Sequence, residues 1–148
     1  MVERRRYDSV MSKIFISYRF TGEDVKEVEA RLDKLCGALA EAGHEVFCNV
    51  KFDEMYLREN YSIQQIMSHA LSELDKSDIL FAYVNSPDRS EGMLIEIGYA
   101  LGKNKPIILA ARKGSGVHSS KGVANQYIEF DDMDDLLEKI KRIDYARN

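Results

Sequence analysis

At 148 residues, 45% of them hydrophobic, the chain is long enough to enclose one sizeable core and too short for two ordinary domains. A formal net charge of -4, with both signs spread along the chain, disfavours binding of a nucleic acid polymer, whereas a small phosphorylated ligand needs only one local cluster of donors. No run approaches the roughly 18 apolar residues of a membrane helix, and Cys36 and Cys48 sit in apolar stretches without CxxC spacing, so a cytoplasmic protein with reduced, buried thiols and no membrane partner is expected.

Residues 1–12, with the charged run Glu3-Arg4-Arg5-Arg6, read as a flexible lead-in to a single domain over residues 13–147. Lys13-Ile14-Phe15-Ile16-Ser17-Tyr18 is a short β-branched and aromatic run closing on a polar, glycine-containing turn, the pattern of a buried parallel strand. From Glu23 to about Ala42, the residues Val25, Val28, Leu32, Leu35 and Leu39 recur at steps of three and four behind the acidic pair Glu23 and Asp24, which predicts an amphipathic helix ended by Gly43. A second strand is predicted over residues 44–50, and the stretch over residues 51–61 is too charged for the core. Ser62-Ile63-Gln64-Gln65 fits a capping box and opens a helix to about Lys76, with Ile63, Ile66, Met67, Ala70, Leu71 and Leu74 inward. The nearly unbroken apolar run from Ile79 to Val84 predicts a strand covered on both faces, hence a central one. A loop over residues 85–89 then leads to a helix from about Ser90 to Leu101, with Met93, Ile97 and Leu101 toward the core. A strand over residues 106–110, an edge strand over residues 127–130 and a helix from Met133 to about Tyr145 complete the pattern, the aspartates at 131–135 serving its N-terminal dipole.

Strands alternating with helices imply right-handed crossovers and a mostly parallel sheet with helices on both faces. With five strands the expectation is an α/β, flavodoxin-like (Rossmann-like) three-layer sandwich of order 2-1-3-4-5. Such sheets bind ligands beyond the carboxyl ends of the strands where the order reverses, which singles out two loops, residues 17–22 and 85–92.

In the second of these, Ser90 is placed to cap the helix, and Gly92 and Glu96 fall four residues apart on one face. The missing side chain at Gly92 lets a ligand approach the backbone, and Glu96 is expected to look out over the cleft. A carboxylate so placed can attack an anomeric carbon or hold a cationic sugar transition state. Taken singly the same residues have plainer readings: Glu96 a solvated helix residue, Arg19 a surface partner of Glu23 or Asp24, Ser90 a cap, Ser119 loop filler, and Tyr18 a ring closing the strand. His44, His69 and His118 lack any ligand-like spacing, so no metal site is expected.

Together, however, Ser90-x-Gly92-x-x-x-Glu96-x-Gly98, after a strand and a proline-containing loop and before Gly-Lys-x-Lys-Pro-Ile-Ile-Leu, resembles the nucleoside 2-deoxyribosyltransferase superfamily. The branch most similar in appearance is the 2′-deoxynucleoside 5′-phosphate N-hydrolases, whose Ser-x-Arg-x-x-x-Glu-Asp turn is matched by Ser17, Arg19, Glu23 and Asp24. The resemblance implies cleavage of the N-glycosidic bond of a nucleoside 5′-monophosphate to free base and sugar 5-phosphate, with Glu96 at C1′. It implies a phosphate site from Arg19, Ser17, Ser90 and the Gly92 backbone, Tyr18 as a wall for the base, and a symmetric homodimer in which Ser119 reaches the partner's site. No cofactor is implied. One departure stands out: where the family carries an aspartate eight residues before the one that opens the third strand, this chain has Ala70, and its neighbours His69 and Asp75 lie at other angles of the helix. Asn49 stands where the hydrolase branch can carry a histidine.

Three other readings remain open. Base exchange by a deoxyribosyltransferase uses the same carboxylate. A non-catalytic nucleotide-binding module on the same fold is suggested by Ala70. A TIR-like, NAD-cleaving domain is suggested by Phe15-Ile16-Ser17-Tyr18-Arg19. A flavodoxin-type FMN carrier is weaker, because the loop over residues 17–22 is poor in hydroxyl side chains.

Overall fold

The computed structural model describes residues 11–145, so residues 1–10 of the expected lead-in lie outside the described residues. Five strands, β1 (Lys13–Tyr18), β2 (Glu45–Cys48), β3 (Ile79–Val84), β4 (Ile107–Arg112) and β5 (Gln126–Phe130), form one sheet in the order β2-β1-β3-β4-β5. Every neighbouring pair is parallel, as the alternation of strands and helices predicts. Helices α1 (Val25–Glu41) and α6 (Met133–Ile140) cover one face; α3 (Ile63–Asp75), α4 (Glu91–Gly102) and the short α5 (His118–Val123) cover the other.

The period of two along each strand sorts the core. Ile14, Ile16, Phe81, Tyr83 and Ile108 pack under α1 and α6, while Phe15, Leu80, Ala82, Ile107 and Leu109 pack under α3 and α4. Both faces are therefore dry at β3, which explains its unbroken apolar sequence. The helix starts follow their capping chemistry: Asp24 accepts from the Glu27 amide, Ser62 and Gln65 form the reciprocal capping box, Ser90 accepts from the Met93 amide, and Asp132 accepts from the Asp135 amide. Gly43 follows α1 at φ 96°, a left-handed conformation that ends the helix where the sequence placed its end.

Several boundaries and faces differ from the expectation. Val25, Ile63 and Leu101 are exposed rather than inward, with Ile63 82% exposed, and each lies in a terminal turn of its helix. The second strand stops at Cys48, and the last helix stops at Ile140 rather than running on to Tyr145. The stretch set aside as too charged for the core contains a 3-10 turn (Asn49–Phe52) and a helix, α2 (Asp53–Arg58), that buries Tyr56. Phe52 and Tyr56, one helical turn apart, had supplied the signal: their rings lie 6.3 Å apart with Tyr56 buried, while Glu54 and Arg58 are exposed. His44, far from being a ligand, accepts from the Ser12 amide through Nδ1 at 3.1 Å.

Candidate active site

Ser17 and Tyr18 are consecutive at the carboxyl end of β1 and therefore point to opposite faces of the sheet. Ser17 faces α4, and its hydroxyl donates to Glu96 Oε1 at 2.7 Å with both residues buried. Glu96 is thus not a solvated helix residue, nor does it look openly over a cleft as expected: the helix crosses close enough to β1 to bring the carboxylate down onto the strand. No basic side chain among the described residues forms an ion pair with it. Burial pushes the Glu96 carboxyl up to about 7, and the Ser17 hydrogen bond pulls the other way by favouring the charged form. Ser17 anchors Oε1, and no residue among those described donates a hydrogen bond to Oε2.

Tyr18 faces α1. Burial raises its hydroxyl far above the ordinary phenol range, with Cys48, Asp53 and Glu96 adding negative charge nearby and the Val50 amide acting in the opposite sense. Beside it, between the ends of β1 and β3 and the first turns of α1 and α4, lies a narrow hollow whose wall includes Tyr18, Arg19, Ser86 and Ser90. Neither Gly92 nor Glu96 is on that wall; α4 spans the crest, with Ser90 at the hollow and Glu96 more than one turn further along. Arg19 is held by Glu23 at 2.9 Å, the pairing its plainer reading anticipated, and by Asp88 at 3.4 Å, which the sequence did not suggest. Ser90 caps α4 through its oxygen and keeps its hydroxyl proton free to donate. Ser119 is exposed on α5, beyond β4, and hydrogen-bonds to none of these residues; the structure does not bring it to the site within one chain.

On the α3 side, the register that pairs Ile16 with Cys48 sets Asn49 next to Ser17. The Tyr56 hydroxyl donates to Asn49 Oδ1 at 3.0 Å and lies 2.7 Å from His69 Nδ1. The tyrosine hydroxyl therefore joins the side chains of Asn49 and His69 in one hydrogen-bonded chain, in which the roles at His69 follow its tautomer. Sequence reasoning had noted Asn49 and His69 separately and missed Tyr56, which joins them. Ala70, on α3, is fully buried in the core, whereas His69 is engaged with the Tyr56 hydroxyl and Asp75 accepts from the Tyr99 hydroxyl at 2.7 Å, so neither side chain lies where Ala70 points.

A buried carboxylate with one anchored oxygen, next to a hollow bearing an arginine and a capping serine at the switch point of a 2-1-3-4-5 sheet, is the setting in which family comparison becomes informative. The family model for nucleoside 2-deoxyribosyltransferase matches residues 17–127. The chain belongs to that family. The match takes in Ser17, Arg19, Ser90, Gly92, Glu96 and Ser119, and with it the chain is an enzyme acting on the glycosidic bond of a nucleoside. Among solved structures it is similar to a CMP N-glycosidase of Clostridium botulinum (23% identity, 88% of this chain and 98% of that one, TM-score 0.66). It is similar also to a 2-deoxyribosyltransferase of Bacillus psychrosaccharolyticus (21% identity, 90% and 93%, TM-score 0.65) and to a conserved protein of Enterococcus faecalis (18% identity, 90% and 99%, TM-score 0.60). No curated protein matches the chain closely. At these identities the structural likenesses speak to the fold, and they agree on the flavodoxin-like arrangement. Within a nucleoside 2-deoxyribosyltransferase fold, the Asn49, Tyr56 and His69 chain and Ala70 are what set this site apart from the pattern read in its sequence.

Proposed function

We propose that the enzyme hydrolyses the N-glycosidic bond of a ribo- or deoxyribonucleoside 5′-monophosphate, releasing the free base and the sugar 5-phosphate. The observation that carries this reading is the Ser17–Glu96 pair set across the crest from a hollow holding Arg19 and Ser90. Glu96 Oε2 attacks C1′; the C1′–N bond breaks with its electron pair passing to the base, which is protonated as it leaves. A water molecule then adds to C1′ of the glycosyl ester, loses its proton and returns the carboxylate. Ser17 keeps Oε1 in place through both steps, and the phosphate sits against Arg19 and Ser90, near the N-terminal amides of α4, with Gly92 admitting close approach. Tyr18 borders the sugar and base between the two halves of the site.

The enzyme works as a symmetric homodimer that supplies Ser119 to the neighbouring site, in the cytoplasm, where nucleotides and reduced thiols coexist. The exposed Leu94, Ile95 and Leu101 on the outer side of α4 support self-association. Base exchange, in which a second base rather than water resolves the ester, is the alternative outcome of the same chemistry. Incubation with nucleoside 5′-monophosphates, and with nucleosides plus an acceptor base, followed by chromatography of the released base, distinguishes the two. Glu96→Gln should abolish either activity, by about 10³-fold or more; retained turnover in that variant, or no base release from any nucleotide or nucleoside, defeats the assignment.

A further inference from the structure

Two residues on the wall of the hollow beside Arg19, Arg31 and Tyr83, each carry a polar atom, Nε and Oη, that is buried and without a hydrogen-bond partner among the described residues. They come from different elements. Arg31 is on α1, between Val28 and Leu32, which line the same wall; Tyr83 is on β3, paired in register with Tyr18 and stacked on Phe130 at 5.8 Å. A buried donor without a partner is destabilising, and two on one wall that also carries Arg19 and Ser90 call for a shared acceptor.

We propose that Arg31 and Tyr83 are the inner wall of an oxyanion site that takes the phosphomonoester of the substrate, an inference that rests on reading this hollow as the phosphate end of the glycosidase site. Charge decides the point. Arg19 is already engaged by Glu23 and Asp88, so one guanidinium faces two carboxylates and, alone, leaves the hollow unattractive to an anion. Arg31 supplies a second positive charge, and the carboxylates an anion has to displace, Asp88 from Arg19 and Glu27 from Arg31, are both largely exposed. An entering dianion displaces the exposed Asp88 from Arg19 and accepts from Arg31 Nε–H and Tyr83 Oη–H. Those two donors lost their water when the chain folded, so binding strips nothing further from them and the hydrogen bonds they form are nearly all gain. The site thereby selects for nucleotides over nucleosides.

Two variants test this: Tyr83→Phe, which keeps the ring on Phe130, and Arg31→Gln, with Arg31→Lys restoring the charge without Nε–H. Calorimetric titration with ribose 5-phosphate and with inorganic phosphate needs no turnover. Affinity should fall about tenfold in Tyr83→Phe and more in Arg31→Gln, with partial recovery in Arg31→Lys. The preference in kcat/KM for nucleoside 5′-monophosphate over nucleoside should fall in parallel. If Tyr83→Phe instead raises Tm while phosphate affinity and substrate preference stay as they were, the two atoms are simply unsatisfied and the site is refuted. Loss of phosphate affinity in variants of a protein that releases no base from any substrate would uphold the anion site and sink the glycosidase reading; base release equally from nucleotides and nucleosides, with no phosphate binding, would do the reverse.

Discussion

In the proposed mechanism the Glu96 carboxylate couples activity to stability through one proton. In the unfolded chain it ionises at its ordinary value of 4.5, whereas in the fold burial defers ionisation to about 7. The folded state therefore binds this proton more tightly, and the stability so gained is complete below pH 4.5 and lost as pH rises through 7. Glu96→Gln removes the titration: its unfolding free energy should match that of the unmodified enzyme near pH 4 and exceed it above pH 8, by at most on the order of 3 kcal/mol. Because attack on C1′ requires the anion, kcat/KM should rise with pH to a plateau with a midpoint near 7, in the range of that carboxyl. Ser17→Ala takes away the hydrogen bond that favours the charged form, so the midpoint should move up by about one pH unit, with activity lost mainly at neutral pH and recovered in part at alkaline pH. A pH profile that does not shift in Ser17→Ala would mean that the serine only packs against the acid.

At the scale of elements, helix α4 owes its placement to signals visible in the sequence and its chemistry to a contact that is not. Ser90 as cap, the apolar Met93 and Ile97, and the fourfold spacing of Gly92 and Glu96 all read correctly from periodicity. Periodicity fixes the angle of a side chain around its helix; it says nothing of how deeply the helix sits on the strand below, so the descent of Glu96 onto Ser17 was out of its reach. The same limit explains α2, where the aromatic pair Phe52 and Tyr56 was outvoted by charge, and the outward Val25, Ile63 and Leu101, where the apolar stripe runs on into exposed terminal turns. Gly92 offers a test of the helix itself. A Cβ there would meet only Ser90 Oγ, at 4.0 Å, so nothing in this chain needs a glycine at that position. Gly92→Ala should raise stability by about 0.4–1 kcal/mol through helix propensity. If a ligand passes along that backbone, the same change should raise KM for the nucleotide at least severalfold, a divergence between denaturation and kinetics that a purely structural glycine would not give.

At the scale of the whole molecule, the sheet order and the crest between β1 and β3 were legible from the alternation of elements, whereas the completeness of the site is a question that one chain does not answer. Five of the proposed ligand-facing residues, Ser17, Tyr18, Arg19, Ser90 and Glu96, gather around that crest, but Ser119 stands apart and exposed on α5. The proposed homodimer would resolve this, because in an isologous pair each subunit receives from the other what it cannot reach itself. The arrangement predicts complementation. Glu96→Gln subunits lack the carboxylate but offer an intact Ser119; Ser119→Ala subunits keep the carboxylate but deprive their partner. Each homodimer is impaired in both of its sites, while a mixed dimer contains one site with Glu96 and a partner serine and another with neither. Co-refolding the two variants in equal amounts should therefore restore up to about a quarter of full activity, since half of the dimers are mixed and half of their sites are whole. Activity no greater than the sum of the separate variants, in a protein that sediments as a dimer, would place Ser119 outside the site and leave each subunit catalytically self-sufficient.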